Sequence, residues 1–143
     1  MNLASIPQSI GIIMDGIRRW AKERNLSTLD GHRAGYEKLK EVVSWASKAG
    51  VKYVTVFAFS TENWLRDKKE VSYLKDLFSW VLENEIAEIH KENIKMRYIG
   101  DLSRLSPKLQ KLVASAEKKT GKNTGVTLVS AVSYGGRKEI VDA

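Results

Sequence analysis

No cysteine occurs in the 143 residues, which excludes disulfide bonds, thiolate metal sites and a cysteine nucleophile. No apolar run approaches the roughly 20 residues that cross a membrane, and the N-terminus lacks the basic-then-apolar layout of a secretory signal. The expectation is a soluble, cytoplasmic protein. Neither a Walker glycine pattern nor a dinucleotide fingerprint is present, which disfavours an ordinary nucleotide site. Internal repeats, low-complexity tracts and interdomain linkers are also missing, so 1–143 reads as one domain. Acidic residues are in the minority, 17 against 24 Lys and Arg, giving a net charge of +7 and a pI near 9.6. That balance suits polyanionic partners such as diphosphates, nucleic acid or acidic headgroups. The lysines are spread over several segments without a recognition motif, so nucleic acid is not the expected one. With 43% hydrophobic residues the chain can bury a real core.

Short apolar runs alternate with helical periodicity along the chain. Ile10 to Met14 reads as a strand and Arg18 to Arg24 as a helix. Leu39, Val42, Val43 and Ala46 recur at helical spacing within a helix from Tyr36 to Ala49, with Gly50 as its stop. Val51 to Phe59, rich in β-branched and aromatic residues, reads as an interior strand covered on both faces. Glu70 to Asn93 is one long helix with a wide apolar stripe, serving either as core or as the wall of a cavity for an elongated apolar ligand. Ile94 to Ile99 alternates as a strand nearer an edge does. Ser106 and Pro107 open another helix, and Val126 to Val132 is a last strand. The chain ends inside what reads as the start of a further helix, so more chain is expected. The pattern implies an α/β fold: a single layer of mostly parallel β-sheet with helices on both faces.

Such sheets bind ligands beyond the carboxyl ends of their strands, and three polar segments fall there. At Asp15-Gly16 a carboxylate ends the first strand. It either caps the helix that follows or, with Gly16, Arg18 and Arg19, serves a bound phosphate bridged by a hard cation. His32 lies between Gly31 and Gly35 beside Arg33, either hydrogen-bonded in the fold or paired with a phosphate. Ser60, Glu62, Asn63 and Trp64, with Arg66 close by, form either a polar turn anchored by the tryptophan or the polar density of an active site. The third segment, Ser133 to Arg137, places glycines and a cation past the last strand.

These motifs, Ile12 to Lys22, Gly31 to Gly35, Ala58 to Trp64 and Ser133 to Arg137, stand in the order found in the cis-prenyltransferase family, the undecaprenyl diphosphate synthases, which the chain resembles from Ile6 to Ala143. The resemblance implies condensation of isopentenyl diphosphate onto an allylic diphosphate such as farnesyl diphosphate, with Mg²⁺. It makes Asp15 the metal-linked catalytic carboxylate and assigns Gly16, Ile17, Arg18, Arg19, Trp20, Thr28 and His32 to the allylic diphosphate. Phe59, Ser60, Thr61, Glu62, Trp64 and Arg66 would line the meeting place of the substrates, with Asn63 at the position of the proton acceptor. An amide is not basic near neutral pH, so orienting a diphosphate or a water is the easier role for it. The resemblance further implies a homodimer in the full-length form and transient membrane contact through a lipid product, or else a non-catalytic partner subunit of such a synthase. The chain departs from the family pattern at Ser9, Ile17, Thr28 and Ser133. It also lacks the arginine-serine segment that binds isopentenyl diphosphate, so 1–143 corresponds to the N-terminal portion.

Overall fold

A computed structural model describes residues 6–143. Four strands, β1 (Ser9–Ile13), β2 (Tyr53–Ser60), β3 (Lys95–Ile99) and β4 (Thr127–Tyr134), form one sheet in the order β1-β2-β4-β3. Every pairing is parallel. Six helices surround the connections: α1 (Ile17–Glu23), α2 (Thr28–Ala49), α3 (Lys68–Asn84), α4 (Ile86–Lys91), α5 (Pro107–Thr120) and α6 (Gly136–Asp142). Short 3₁₀ turns occupy Thr61–Leu65 and Leu102–Arg104. The parallel α/β layer agrees with the sequence.

Register explains where the core sits. Ile10, Val54, Leu128 and Met96 pair across the sheet, and Ile12, Val56, Ser130 and Tyr98 pair two residues later. Because side chains alternate along a strand, these residues share one face. That face meets Val43 and Ala46 of α2, Val71 and Leu82 of α3, Ile86 of α4 and Val113 of α5 in a single apolar cluster. Coverage of the other face is thinner. Tyr53 of β2 is 49% exposed, so this interior strand is fully covered on one side only.

Strand β3 lies at an edge, as its alternation predicts. Its outward amides do not face solvent. Met96 N–H donates to Thr120 Oγ1 at 3.0 Å and Tyr98 N–H to Glu117 Oε1 at 3.0 Å, so α5 closes the edge that would otherwise invite another strand.

Two helix boundaries differ from the sequence reading. Helix α2 begins eight residues before Tyr36, at Thr28, because Ser27 and Asp30 form a reciprocal capping box. Gly31 and Gly35 therefore lie within the helix, one turn apart. A Cβ on Gly31 would stand 3.0 Å from the Ile17 carbonyl oxygen and 3.0 Å from Ala21 Cβ, so this glycine permits the close approach of α1. The long helix expected from Glu70 to Asn93 breaks at Glu85, the last cap of α3 and the first of α4. Glu85 there accepts hydrogen bonds from Tyr36 Oη (3.1 Å) and Lys40 Nζ (2.8 Å) of α2.

Gly31→Ala is expected to destabilise the protein by about 1–3 kcal/mol, since backbone must yield to the added methyl. Gly35→Ala meets only the flexible tip of Ile17, with Cδ1 at 3.0 Å, and gains helix propensity, so its effect is expected to stay within about 1 kcal/mol of zero. Urea unfolding of both variants checks the contrast.

Candidate functional site

Parallel strands place all their carboxyl ends on one rim, and the polar segments gather there. Beneath the rim lies a cavity of 460 Å³ between the sheet and helices α2 and α3. Its walls are Leu39 and Val43 of α2, Leu74, Leu77, Phe78 and Val81 of α3, Ile89 of α4, and Met96, Leu128 and Val132 of the sheet. Part of the apolar stripe of α3 thus faces space rather than packing. At the rim end the lining changes to Asp15, Ile17, His32, Ser60, Asn63, Trp64 and Arg66. The rim end is polar with cations, the middle is apolar, and charged Lys40, Lys75, Glu85, Glu88 and Glu92 line the remainder. The polar rim beside an apolar stretch suits an amphiphile with an anionic head.

Asp15 lies two residues past the end of β1. It does not cap α1: the cap position is Gly16, in the left-handed region at φ 80°, with no side-chain cap bond. The Gly16 N–H donates to Asp15 Oδ1 at 2.6 Å, and Arg19 Nη2 lies 3.4 Å from Asp15 Oδ2. Asp15 is largely exposed, so its carboxylate remains open to a ligand at the mouth. Among the described residues no group of three or more His, Asp or Glu could hold a metal. One exposed carboxylate at the cavity mouth nevertheless fits Mg²⁺, which takes one or two carboxylates and completes its shell with phosphate oxygens and water.

The turn after β2 is built by its own side chains. Ser60 Oγ accepts from Asn63 N–H (3.2 Å), and Asn63 Oδ1 accepts from Ser60 N–H (3.0 Å). With its carbonyl so engaged, Asn63 has its NH₂ group left to donate. Trp64 anchors the turn: its Nε1–H donates to Ser133 Oγ at 2.9 Å, and its ring packs edge-on to Phe59 with centroids 4.9 Å apart. The guanidinium of Arg104 stacks 4.7 Å from the Trp64 ring centroid. Ser133 is buried at φ 50°, a left-handed conformation uncommon for serine. Thr61 packs so closely on Gly135 that a Cβ there would stand 2.9 Å from its hydroxyl, tying this turn to the end of β4.

The structure brings Asp15, Ile17, His32, Phe59, Ser60, Asn63, Trp64 and Arg66 to the cavity wall. Gly16, Arg18 and Arg19 stand beside that mouth in sequence and contact, Arg19 through Asp15 and Arg18 through Glu70. Trp20 instead stacks under Arg24, 4.5 Å from its guanidinium, and Thr28 opens α2; neither lines the cavity. Glu62 is exposed and accepts from Thr61 Oγ1 at 3.1 Å.

Glu70 escaped the sequence reading. Its side chain is 8% exposed, yet it meets three basic groups: His32 Nε2 at 3.0 Å, Arg66 Nη1 at 2.9 Å and Arg18 Nε at 3.9 Å. Burial pushes its carboxyl pKa up. The hydrogen bond with His32 and the charges of Arg66 and Arg18 outweigh that, leaving it below the usual carboxylate range. A glutamate opening an apolar helical stripe carries no local sign of such partners, since His32 is 38 residues away.

A carboxyl whose folded pKa is depressed contributes stability that is complete above its unfolded value of about 4.3 and is lost as pH falls through the folded value. Glu70→Gln is therefore expected to cost roughly 1–3 kcal/mol at neutral pH. The gap from the natural protein should narrow below about pH 4. Urea unfolding across pH 3–7 measures it, and a gap independent of pH would contradict the assignment.

Residues 13–143 match the family model described as "Putative undecaprenyl diphosphate synthase". The ditrans,polycis-undecaprenyl-diphosphate synthase of Micrococcus luteus is 46% identical over 143 residues, all of this chain and 57% of that protein. The isoprenyl transferase of Chromobacterium violaceum is 47% identical over 137 residues, 96% of this chain and 55% of that one. Among solved structures, lavandulyl diphosphate synthase from Lavandula x intermedia, in complex with dimethylallyl diphosphate, superimposes with a TM-score of 0.90 at 37% identity, covering 95% of this chain and 58% of that one. A probable undecaprenyl diphosphate synthase from Campylobacter jejuni gives 0.78 at 29% identity, over 94% of this chain and 58% of that one. The chain spans a little over half the length of the curated relatives it matches. By the family model and by its identity to these relatives, the chain belongs to the undecaprenyl diphosphate synthase family of prenyltransferases.

Proposed function

We propose that this chain carries the allylic-substrate half of a cis-prenyltransferase, which joins isopentenyl diphosphate to an allylic diphosphate such as farnesyl diphosphate to build a long-chain polyprenyl diphosphate. The observation that carries the reading is a 460 Å³ cavity in which an apolar stretch of wall adjoins a cationic, hydrogen-bonding mouth. A hydrocarbon tail would rest against Leu39, Leu77, Phe78 and Val81, gaining about 25 cal/mol for each Å² of apolar surface removed from water. Its diphosphate would meet Arg66, His32 and the Ser60–Asn63 turn at the mouth. The family match and the dimethylallyl diphosphate bound by the lavandulyl relative support the same class of ligand.

In the reaction the C1–O bond of the allylic substrate breaks and pyrophosphate departs. The terminal alkene carbon of isopentenyl diphosphate bonds to C1, and a proton passes from its C2 to a water or a diphosphate oxygen. Negative charge grows on the leaving oxygen, so Arg18, Arg19, Arg66 and the N–H groups of the mouth are best used there. Asp15 would hold Mg²⁺, which when bound neutralises charge on the diphosphate. Asn63 donates through its NH₂ and orients the diphosphate, because its carbonyl is already occupied by Ser60 N–H. Ile17 contributes no polar group, so the mouth depends on the arginines and Asp15 the more. In the same reading the full-length form is a homodimer that works in the cytoplasm and touches the membrane through its lipid product. Among the described residues no helix is long and apolar enough to cross a membrane.

Titration with farnesyl diphosphate, followed by tryptophan fluorescence, tests the head-group assignment. Mg²⁺ is expected to tighten binding about tenfold over EDTA, ~1.4 kcal/mol. Asp15→Asn should abolish that increment and leave metal-free binding within about twofold. A full Mg²⁺ increment in the variant would remove Asp15 from the metal site. Incorporation of radiolabelled isopentenyl diphosphate then distinguishes an enzyme from a partner subunit that binds prenyl diphosphate without turning it over.

A further inference from the structure

The basic groups at the cavity mouth do not stand alone. His32 comes from α2, Arg66 from the end of the turn after β2, and Arg18 from α1, and in the fold all three converge on Glu70 of α3. Glu70 Oε1 takes both His32 Nε2 and Arg66 Nη1, while Oε2 faces Arg18. His32 and Arg66 line the cavity and Glu70 does not. A carboxylate this buried is costly to retain unless its partners compensate it, and cations gathered without an anion would repel one another.

We propose that Glu70 is a positioning residue of the anion site: its carboxylate fixes His32 and Arg66 where they meet a diphosphate and keeps the cationic cluster assembled before the ligand arrives. This rests on the reading of the mouth as a diphosphate site. Glu70 acts through its neighbours and need not touch substrate. Arg66 has five N–H donors and commits one to Glu70, and the His32 ring has a second nitrogen beyond the one held. The carboxylate therefore orients both groups without exhausting them.

Electrostatics alone makes the opposite forecast, which gives the test its power. Removing a negative charge beside an anion site strengthens anion binding if charge is all that matters. If position matters, binding weakens. Calorimetric titration of the 143-residue chain with inorganic pyrophosphate in Mg²⁺ reads the head-group site, and farnesol reads the apolar body separately. Glu70→Gln removes the charge, and Glu70→Asp keeps it but shortens the reach. Both variants are expected to bind pyrophosphate about tenfold more weakly, with farnesol affinity changed less than about twofold. Pyrophosphate binding that is unchanged or tighter in Glu70→Gln overturns the proposal, as does equal weakening toward both probes, the mark of a merely structural role.

Should the natural chain bind no pyrophosphate, the diphosphate reading itself fails, and the placement of His32 is still tested without ligand. The protein has two histidines, so His90→Gln identifies the His32 imidazole nitrogen resonances. Glu70→Asp and Glu70→Gln are each expected to shift the His32 Nε2 resonance while His90 stays fixed. An unmoved His32 resonance in whichever variant folds overturns the proposal.

Discussion

Parallel pairing is the constraint from which the rest follows. Each strand must be reached by a crossover, so all four carboxyl ends lie on one rim and the returning helices lie along the sheet. Polar residues placed just after β1, β2 and β4 then meet although they are far apart in sequence. The Trp64–Ser133 hydrogen bond joins positions 69 residues apart, and His32–Glu70 joins positions 38 apart. The same arrangement leaves α2 and α3 flanking the central strands, and the cavity opens where their apolar stripes do not meet.

The polar rim of that cavity is set by where each helix begins. Helices α2 and α3 both start near the rim with polar residues, His32 in one and Glu70 in the other, and turn apolar further along. Glu85 closes the seam between them some 15 residues, or roughly 22 Å, beyond Glu70, held by Tyr36 and Lys40. The two buried or half-buried glutamates thus bracket α3. Their partners lower the carboxyl pKa of each, at Glu85 through the hydrogen bond from Lys40 first and against the opposing effect of burial.

Much of this was legible in the sequence because it is local. Strand runs, the Ser106-Pro107 start of α5, the edge character of β3 and the polar strand tips all declare themselves within a few residues. What was not legible depends on long-range partners. The helical spacing starts the helix at Tyr36, yet the Ser27–Asp30 box and the packing of Ile17 carry it back over Gly31 and Gly35. The break at Glu85 comes where α2 supplies two donors, in the middle of an unbroken helical pattern. Glu70 only opens the helical pattern in sequence, and its partner His32 stands 38 residues away. Ser133, noted for departing from the family pattern, proves to be the acceptor that holds Trp64.

The central claim is that the mouth at Asp15 takes an anionic head while a hydrocarbon tail lies between α2, α3 and the sheet. Photocrosslinking with a farnesyl-length diphosphate carrying a benzophenone at its far end tests it most directly. The account predicts that peptide mapping finds the label on the cavity walls of α3 and α4, at Phe78, Val81 or Ile89, and that excess pyrophosphate lowers its yield. Label confined to the thinly covered sheet face around Tyr53, or label indifferent to pyrophosphate, would contradict it.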